Sequence, residues 1–140
     1  GRFRVGGRPV ALSDIRVPVF AVGTERDHVA PWRSVYKLHY LSPAEITFVL
    51  TSGGHNAGIV SEPGHNGRRY RVLTRETDGL SYDPEEWERH AEKKQGSWWT
   101  EWGDWLASRS GAPGAPPSMG AADKGYAPIA DAPGHYVLER

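Results

Sequence analysis

Residues 45–55 read "EITFVLTSGGH". Ile46 to Leu50 is short, apolar and β-branched, and it ends at Gly53-Gly54, which is how a strand buried on both faces looks in sequence. Upstream, "VPVFAV" at 17–22 has the same character, with nearly every position apolar. Between the two lies "PWRSVYKLHYL", 31–41, where Pro31 suits a first helical turn and Val35 and Leu38 share one side. Strand, helix, strand is a crossover unit, and a crossover joins parallel strands. The fold class is therefore α/β.

The flanks are read from the same signals. "RFRVGGRPVAL" places alternating arms on either side of Gly6-Gly7, the pattern of a small hairpin. "RRYRVLT", 68–74, is expected to be an edge strand. "YDPEEWERHAEKK" reads as one helix, with Asp83 as cap, Pro84 in the first turn, acids early, lysines late and Gly96 as the stop. "SWWTEWGDWLASRSG" starts another helix, with Ser97 as cap and Trp98, Trp102 and Trp105 at helical spacing, all expected to face inward. The last thirty residues, rich in Pro, Gly and Ala, read as an extended tail.

Composition narrows the function classes. The 140 residues carry 17 basic and 17 acidic side chains, so no net field draws nucleic acid or an anionic membrane. Cysteine is absent, which removes disulfides, thiolate metal sites and a cysteine nucleophile from these residues. No apolar run approaches a bilayer span and the first residues do not resemble a signal peptide, so a cytoplasmic protein is expected. His39, His65, His90 and His135 share no metal-ligand spacing, and neither a metal nor a cofactor is expected.

Two residues stand where chemistry is expected. Asp27 follows the first strand in "RDHVAPW" and His55 follows the second in "GGHNAG". Ligands of open parallel sheets bind beyond the carboxyl ends of the strands, and loops leaving neighbouring strands there can meet. An acid followed in the chain by a histidine is the second half of the nucleophile, acid, histidine order of α/β-hydrolases. Asp27 also has the position of an ordinary helix cap, and "GGH" that of an ordinary turn, so both readings stand at this level.

Three stretches, "VPVFAVGTERDHVAPWRSVYKLHYL", "ITFVLTSGGHNAGIVSEPG" and "GSWWTEWGDWL", resemble the C-terminal part of the catalytic domain of polyhydroxyalkanoate synthases, and the tail "PPSMGAADKGYAPIADAPGHYVLER" is similar to that family's C-terminal end. The resemblance implies an α/β-hydrolase fold, with residues 1–111 as the C-terminal part of the catalytic domain and 112–140 as the tail. It implies an acyltransferase that polymerises (R)-3-hydroxyacyl-CoA into polyester and releases CoA, the thioester being substrate rather than cofactor. By motif, Asp27 and His55 match the catalytic acid and histidine, and the nucleophilic cysteine, in a Gly-x-Cys-x-Gly elbow, belongs upstream. Asn56 departs from the apolar residue common in the family. The expected partners are the upstream part of the same enzyme, a second copy of the enzyme, and the surface of a storage granule. Two alternatives are a serine esterase or polyester depolymerase of the same fold, and a non-catalytic module that binds a granule or partner subunit.

Overall fold

The computed structural model describes residues 2–139. The chain divides into two compact units, Gly1–Ser110 and Gly111–Arg140.

The first unit opens with the hairpin, β1 (Arg4–Val5) against β2 (Arg8–Pro9). Gly6 and Gly7 both take positive φ, +55° and +77°, as a two-residue hairpin turn of the mirror-image type requires. A four-stranded sheet follows, built from β3 (Val19–Thr24), β4 (Ile46–Thr51), β5 (Arg69–Arg75) and β6 (Glu92–Gln95) in that spatial order. β3 and β4 pair in parallel from Val19 opposite Ile46 to Thr24 opposite Thr51, while β5 and β6 add antiparallel. The sheet is thus mixed, with parallel strands joined by helices, and the α/β class holds.

Every residue of β4 is buried, so both faces must be covered. Ile46, Phe48 and Leu50 face the crossover helices α1 (Trp32–Tyr36) and α2 (Leu38–Leu41) and the later helix α3 (Pro84–His90), packing with Trp32, Tyr36 and Trp87. Phe48 and Trp87 meet edge to face at 5.0 Å, and Tyr36 lies 5.3 Å from Phe48, so one aromatic cluster seals that side. Val49 faces the other way, with Tyr70, Val72 and Trp98. That side is covered by α4 (Trp99–Ala107).

Four expectations are corrected. Val17 is exposed and the first strand starts at Val19; its first four residues are only half-buried because β3 has a strand partner on one side only among the described residues. β5 is interior rather than an edge, lying between β4 and β6. The helix capped by Asp83, whose carboxylate accepts from Glu86 N–H at 2.7 Å, ends at His90, and the lysine-bearing residues 92–95 form β6. Ala91 is extended and buried against Trp87, which turns the chain, and the open edge of β5 then pairs with it, leaving Lys94 to bridge Glu101 at 2.7 Å. Trp102 is 41 % exposed, whereas Trp98 is buried and Trp105 half-buried with its ring 5.5 Å from Phe20; Trp102 packs on the Trp98 ring, 5.8 Å away, instead of on the sheet.

The second unit has single 3-10 turns at Ala122–Lys124 and Tyr136–Leu138, with a backbone bridge between Ala121 and Tyr126. Its Pro-rich composition suits such local turns. No helix among the described residues is long and apolar enough to cross a membrane.

His39 carries a stability consequence. Its ring is buried, 4.3 Å from Tyr36, near the Arg75 guanidinium that binds the carbonyls of His39, Ser42 and Ala44. Burial first, and Arg75 second, push the imidazole down to about 4. A depressed folded value means the contribution is complete above the ordinary 6.5 and is lost as pH falls toward 4. At about 1.4 kcal/mol per unit the loss is roughly 3 kcal/mol. His39→Phe keeps a ring in place without titrating, so its urea midpoint is expected to vary far less across that window than the parent's.

Candidate active site

The parallel register carries the two loops out of the sheet side by side. Pairing continues past the strand ends, with Glu25 N–H donating to Thr51 O and Arg26 N–H to Gly53 O, each at 2.9 Å. Asp27 and His55 therefore leave neighbouring strands on one edge, at the carboxyl ends of β3 and β4.

The structure brings both side chains together. His55 Nδ1 lies 2.9 Å from Asp27 Oδ2, while Asp27 Oδ1 accepts from the Val29 and Ala30 amides, both at 2.8 Å. Asp27 is not the cap of α1, which starts after Pro31 without a side-chain cap; its Oδ1 closes the local turn at 27–30 while its Oδ2 faces the imidazole. The side chain of Asp27 is only 7 % exposed and that of His55 is 47 % exposed, so the acid is sheltered and the ring reaches solvent. The Ala30 amide holds the Asp27 carboxyl below the usual carboxylate range, burial opposes it, and the His55 hydrogen bond and Val29 amide add to the lowering. An ionised Asp27 accepts from Nδ1–H and leaves the Nε2 lone pair available as a base.

Close packing sets the ring's position. Gly53 takes φ +111°, and an added Cβ there would meet the Gly58 backbone at 2.8 Å. On Gly58 it would meet Thr24 Cγ2 at 2.6 Å, so the loop after His55 lies directly on the end of β3. Gly23 likewise lets Trp32 approach, since a Cβ would come within 2.9 Å of that side chain. Beside the dyad is a cavity of about 190 Å³ bordered by Val22, Thr24, Ala30, Val35 and Ile59. Its walls are mostly apolar and the dyad supplies its polar corner, the arrangement expected of a small-molecule site.

His28 is exposed, His65 pairs with Glu62 at 2.9 Å, and His90 stacks on Tyr82 at 4.6 Å. No cluster of three or more metal-capable side chains occurs among the described residues. Sequence reasoning missed the hold on residues 58–61: Trp98 Nε1–H donates to Gly58 O at 3.1 Å, Trp99 Nε1–H to Ile59 O at 2.9 Å, and Ser97 Oγ to Ser61 O. The Trp-Trp pair was visible, but nothing in its spacing names a partner forty residues away.

Fold and site together define an α/β segment that presents an acid-imidazole pair at the carboxyl ends of two parallel strands. No protein-family model matches the chain. It is 38 % identical over 138 residues, 98 % of its length, to the poly(3-hydroxyalkanoate) polymerase subunit PhaC of Cupriavidus necator. It is 38 % identical over 137 residues to poly(3-hydroxyalkanoate) polymerase 2 of Ectopseudomonas oleovorans, and 33 % identical over 134 to the PhaC subunit of Rhizobium etli. These matches cover 22 %, 23 % and 20 % of those proteins, so the chain spans about a fifth of the length of the relatives it matches. The chain is a homologue of the poly(3-hydroxyalkanoate) polymerases and corresponds to a segment of them, as its motifs implied.

Two glycines of the His55 loop make a matched test of this packing. Gly58→Ala forces the loop off Thr24 and is expected to cost about 1 to 3 kcal/mol in urea unfolding. Gly54→Ala places its Cβ 3.6 Å from Arg26 O, an ordinary contact, and is expected to stay within about 0.5 kcal/mol of the parent.

Proposed function

We propose that this chain supplies the acid and the base of a Cys-Asp-His triad in a polyhydroxyalkanoate synthase of α/β-hydrolase fold, whose cysteine lies in a part of the polymerase outside these residues. The observation that carries this reading is the 2.9 Å contact from His55 Nδ1 to Asp27 at the carboxyl ends of adjacent parallel strands. Its support is that the homologues are poly(3-hydroxyalkanoate) polymerases. The substrate is (R)-3-hydroxyacyl-CoA and the product a polyester; the enzyme needs no further cofactor. These residues by themselves, lacking a nucleophile, are expected to be inactive.

His55 Nε2 takes the proton of the cysteine thiol, and the thiolate attacks the thioester carbonyl. The carbon-sulfur bond to CoA breaks as the new one to the enzyme forms, and the imidazolium returns its proton to the departing CoA thiolate. In extension His55 takes the proton of a 3-hydroxyl, whose oxygen attacks a second acyl thioester; the ester forms as that thioester's carbon-sulfur bond breaks, and the imidazolium returns the proton to the departing thiolate. Asp27 holds the ring in the Nδ1–H tautomer and stabilises the imidazolium. The cavity beside the dyad has room for the short substituent of a 3-hydroxyacyl unit.

In the full polymerase containing this segment, His55→Ala is expected to abolish CoA release from 3-hydroxybutyryl-CoA. Asp27→Asn separates the two duties of the acid. Its amide oxygen still accepts from Val29 and Ala30, so the thermal midpoint should hardly move, while its NH2 faces the ring and imposes the wrong tautomer, with a rate loss of up to about 10⁴-fold. Undiminished CoA release by either variant would overturn the triad. A thiol-specific alkylating agent should silence the parent enzyme; a serine nucleophile would resist it.

A further inference from the structure

We propose that Ser97, Trp98 and Trp99 are positioning residues for His55, acting by clamping the turn that follows it. The proposal rests on the catalytic reading of His55.

Residues 54–60 form a helical turn, in which Gly58 N–H donates to Gly54 O at 2.8 Å and Val60 N–H to Asn56 O at 2.9 Å. Carbonyls at the trailing end of such a turn have no partner within it. Here the Trp98 indole N–H takes Gly58 O, the Trp99 indole N–H takes Ile59 O, and the Ser97 hydroxyl takes Ser61 O. Three consecutive residues thus hold two carbonyls of the turn that carries His55 and a third just beyond it. Ser97, Trp98 and Ser61 are buried, so water does not compete freely for the bonds to Gly58 O and Ser61 O, while the bond to Ile59 O lies at the surface.

The clamp is itself held. Trp98 stacks on Phe20 of β3, with ring centroids 6.3 Å apart, and packs with Val49, Tyr70 and Val72. Ser97 Oγ also accepts from Trp99 N–H at 3.0 Å, and Glu101 in the first turn of α4 binds Lys94 of β6 and Tyr70 of β5. The indoles are therefore fixed to the same sheet that fixes Asp27. Gly58 is squeezed between them, with Thr24 against its Cα side and Trp98 on its carbonyl. With the acid anchored to one strand end and the turn anchored from α4, neither side of the 2.9 Å contact can drift. Ile59, the residue held by Trp99, also borders the cavity, so the clamp sets one wall of the site as well.

The test uses Trp98→Phe, Trp99→Phe and the double variant in the full polymerase, beside His55→Ala. Phenylalanine keeps an aromatic ring in the packing while it removes the indole donor, at the cost of a smaller ring. Active sites are counted by the stoichiometric burst of CoA, so an unfolded fraction does not enter kcat. For the double variant we expect a thermal midpoint lowered by the smaller rings, KM within about twofold, and kcat per active site reduced about tenfold or more, because small misplacements of a reacting group are costly. Parent kcat in the double variant, with His55→Ala inactive, would overturn the clamp and leave the triad standing. Activity persisting in His55→Ala would overturn the triad itself, and the clamp with it. If the double variant unfolds early, Trp99→Phe alone decides, since its ring is only half-buried: a kcat loss at unchanged KM supports the clamp, and parent kcat overturns it.

Discussion

The parallel pairing of β3 with β4 is the constraint on which the rest of this structure depends. Parallel strands leave the sheet at the same edge, so the loops carrying Asp27 and His55 meet without either being long. An antiparallel pairing of the same strands would send those loops to opposite ends. The pairing also makes β4 an interior strand with every residue buried, and a strand buried on both faces needs cover on both. Trp32, Tyr36 and Trp87 provide it on one side and Trp98 on the other. The aromatic residues thus follow from the strand arrangement that also builds the site.

The Asp27 carboxylate shows how one group can serve structure and chemistry without compromise. A carboxylate offers about four lone-pair positions on two oxygens. Oδ1 is spent on two backbone amides that close the turn into α1, and Oδ2 is left for the imidazole. The amides fix the carboxylate plane before His55 arrives, which makes the orientation of the ring a consequence of backbone geometry. With His55 half-exposed, the pair adds little to stability. Its value lies in direction, since the acid selects which ring nitrogen carries the proton.

Legibility in the sequence followed the range of the interactions involved. The hairpin at Gly6-Gly7, the Asp83 cap, the buried run Ile46 to Leu50 and the crossover helix depend on residues within a few positions of one another, and each is present. The segment 92–95 reads as a helix end because its charges suit one equally well, and only the open edge of β5 makes it a strand. β5 reads as an edge for the same reason, since β6 is what makes it interior. Trp102 obeyed helical spacing but not burial, because the Trp98 ring occupies the place against the sheet that spacing alone would share between them.

The sequence by itself determined the local chemistry of this protein: an acid and a histidine after successive apolar strands, no cysteine among these residues, and the motifs of a polymerase segment that the homologues bear out. Those are properties of residue type and order, which need no third dimension. Only the tertiary structure decided that Asp27 closes its own turn and pairs with His55 at once, that residues 92–95 join the sheet, and that Trp98 and Trp99 hold the turn behind His55. Each of those outcomes depends on which distant backbone group stands within hydrogen-bond reach. That reach is set by strand register and by the packing of α4 on β3, and a string of residue types contains neither.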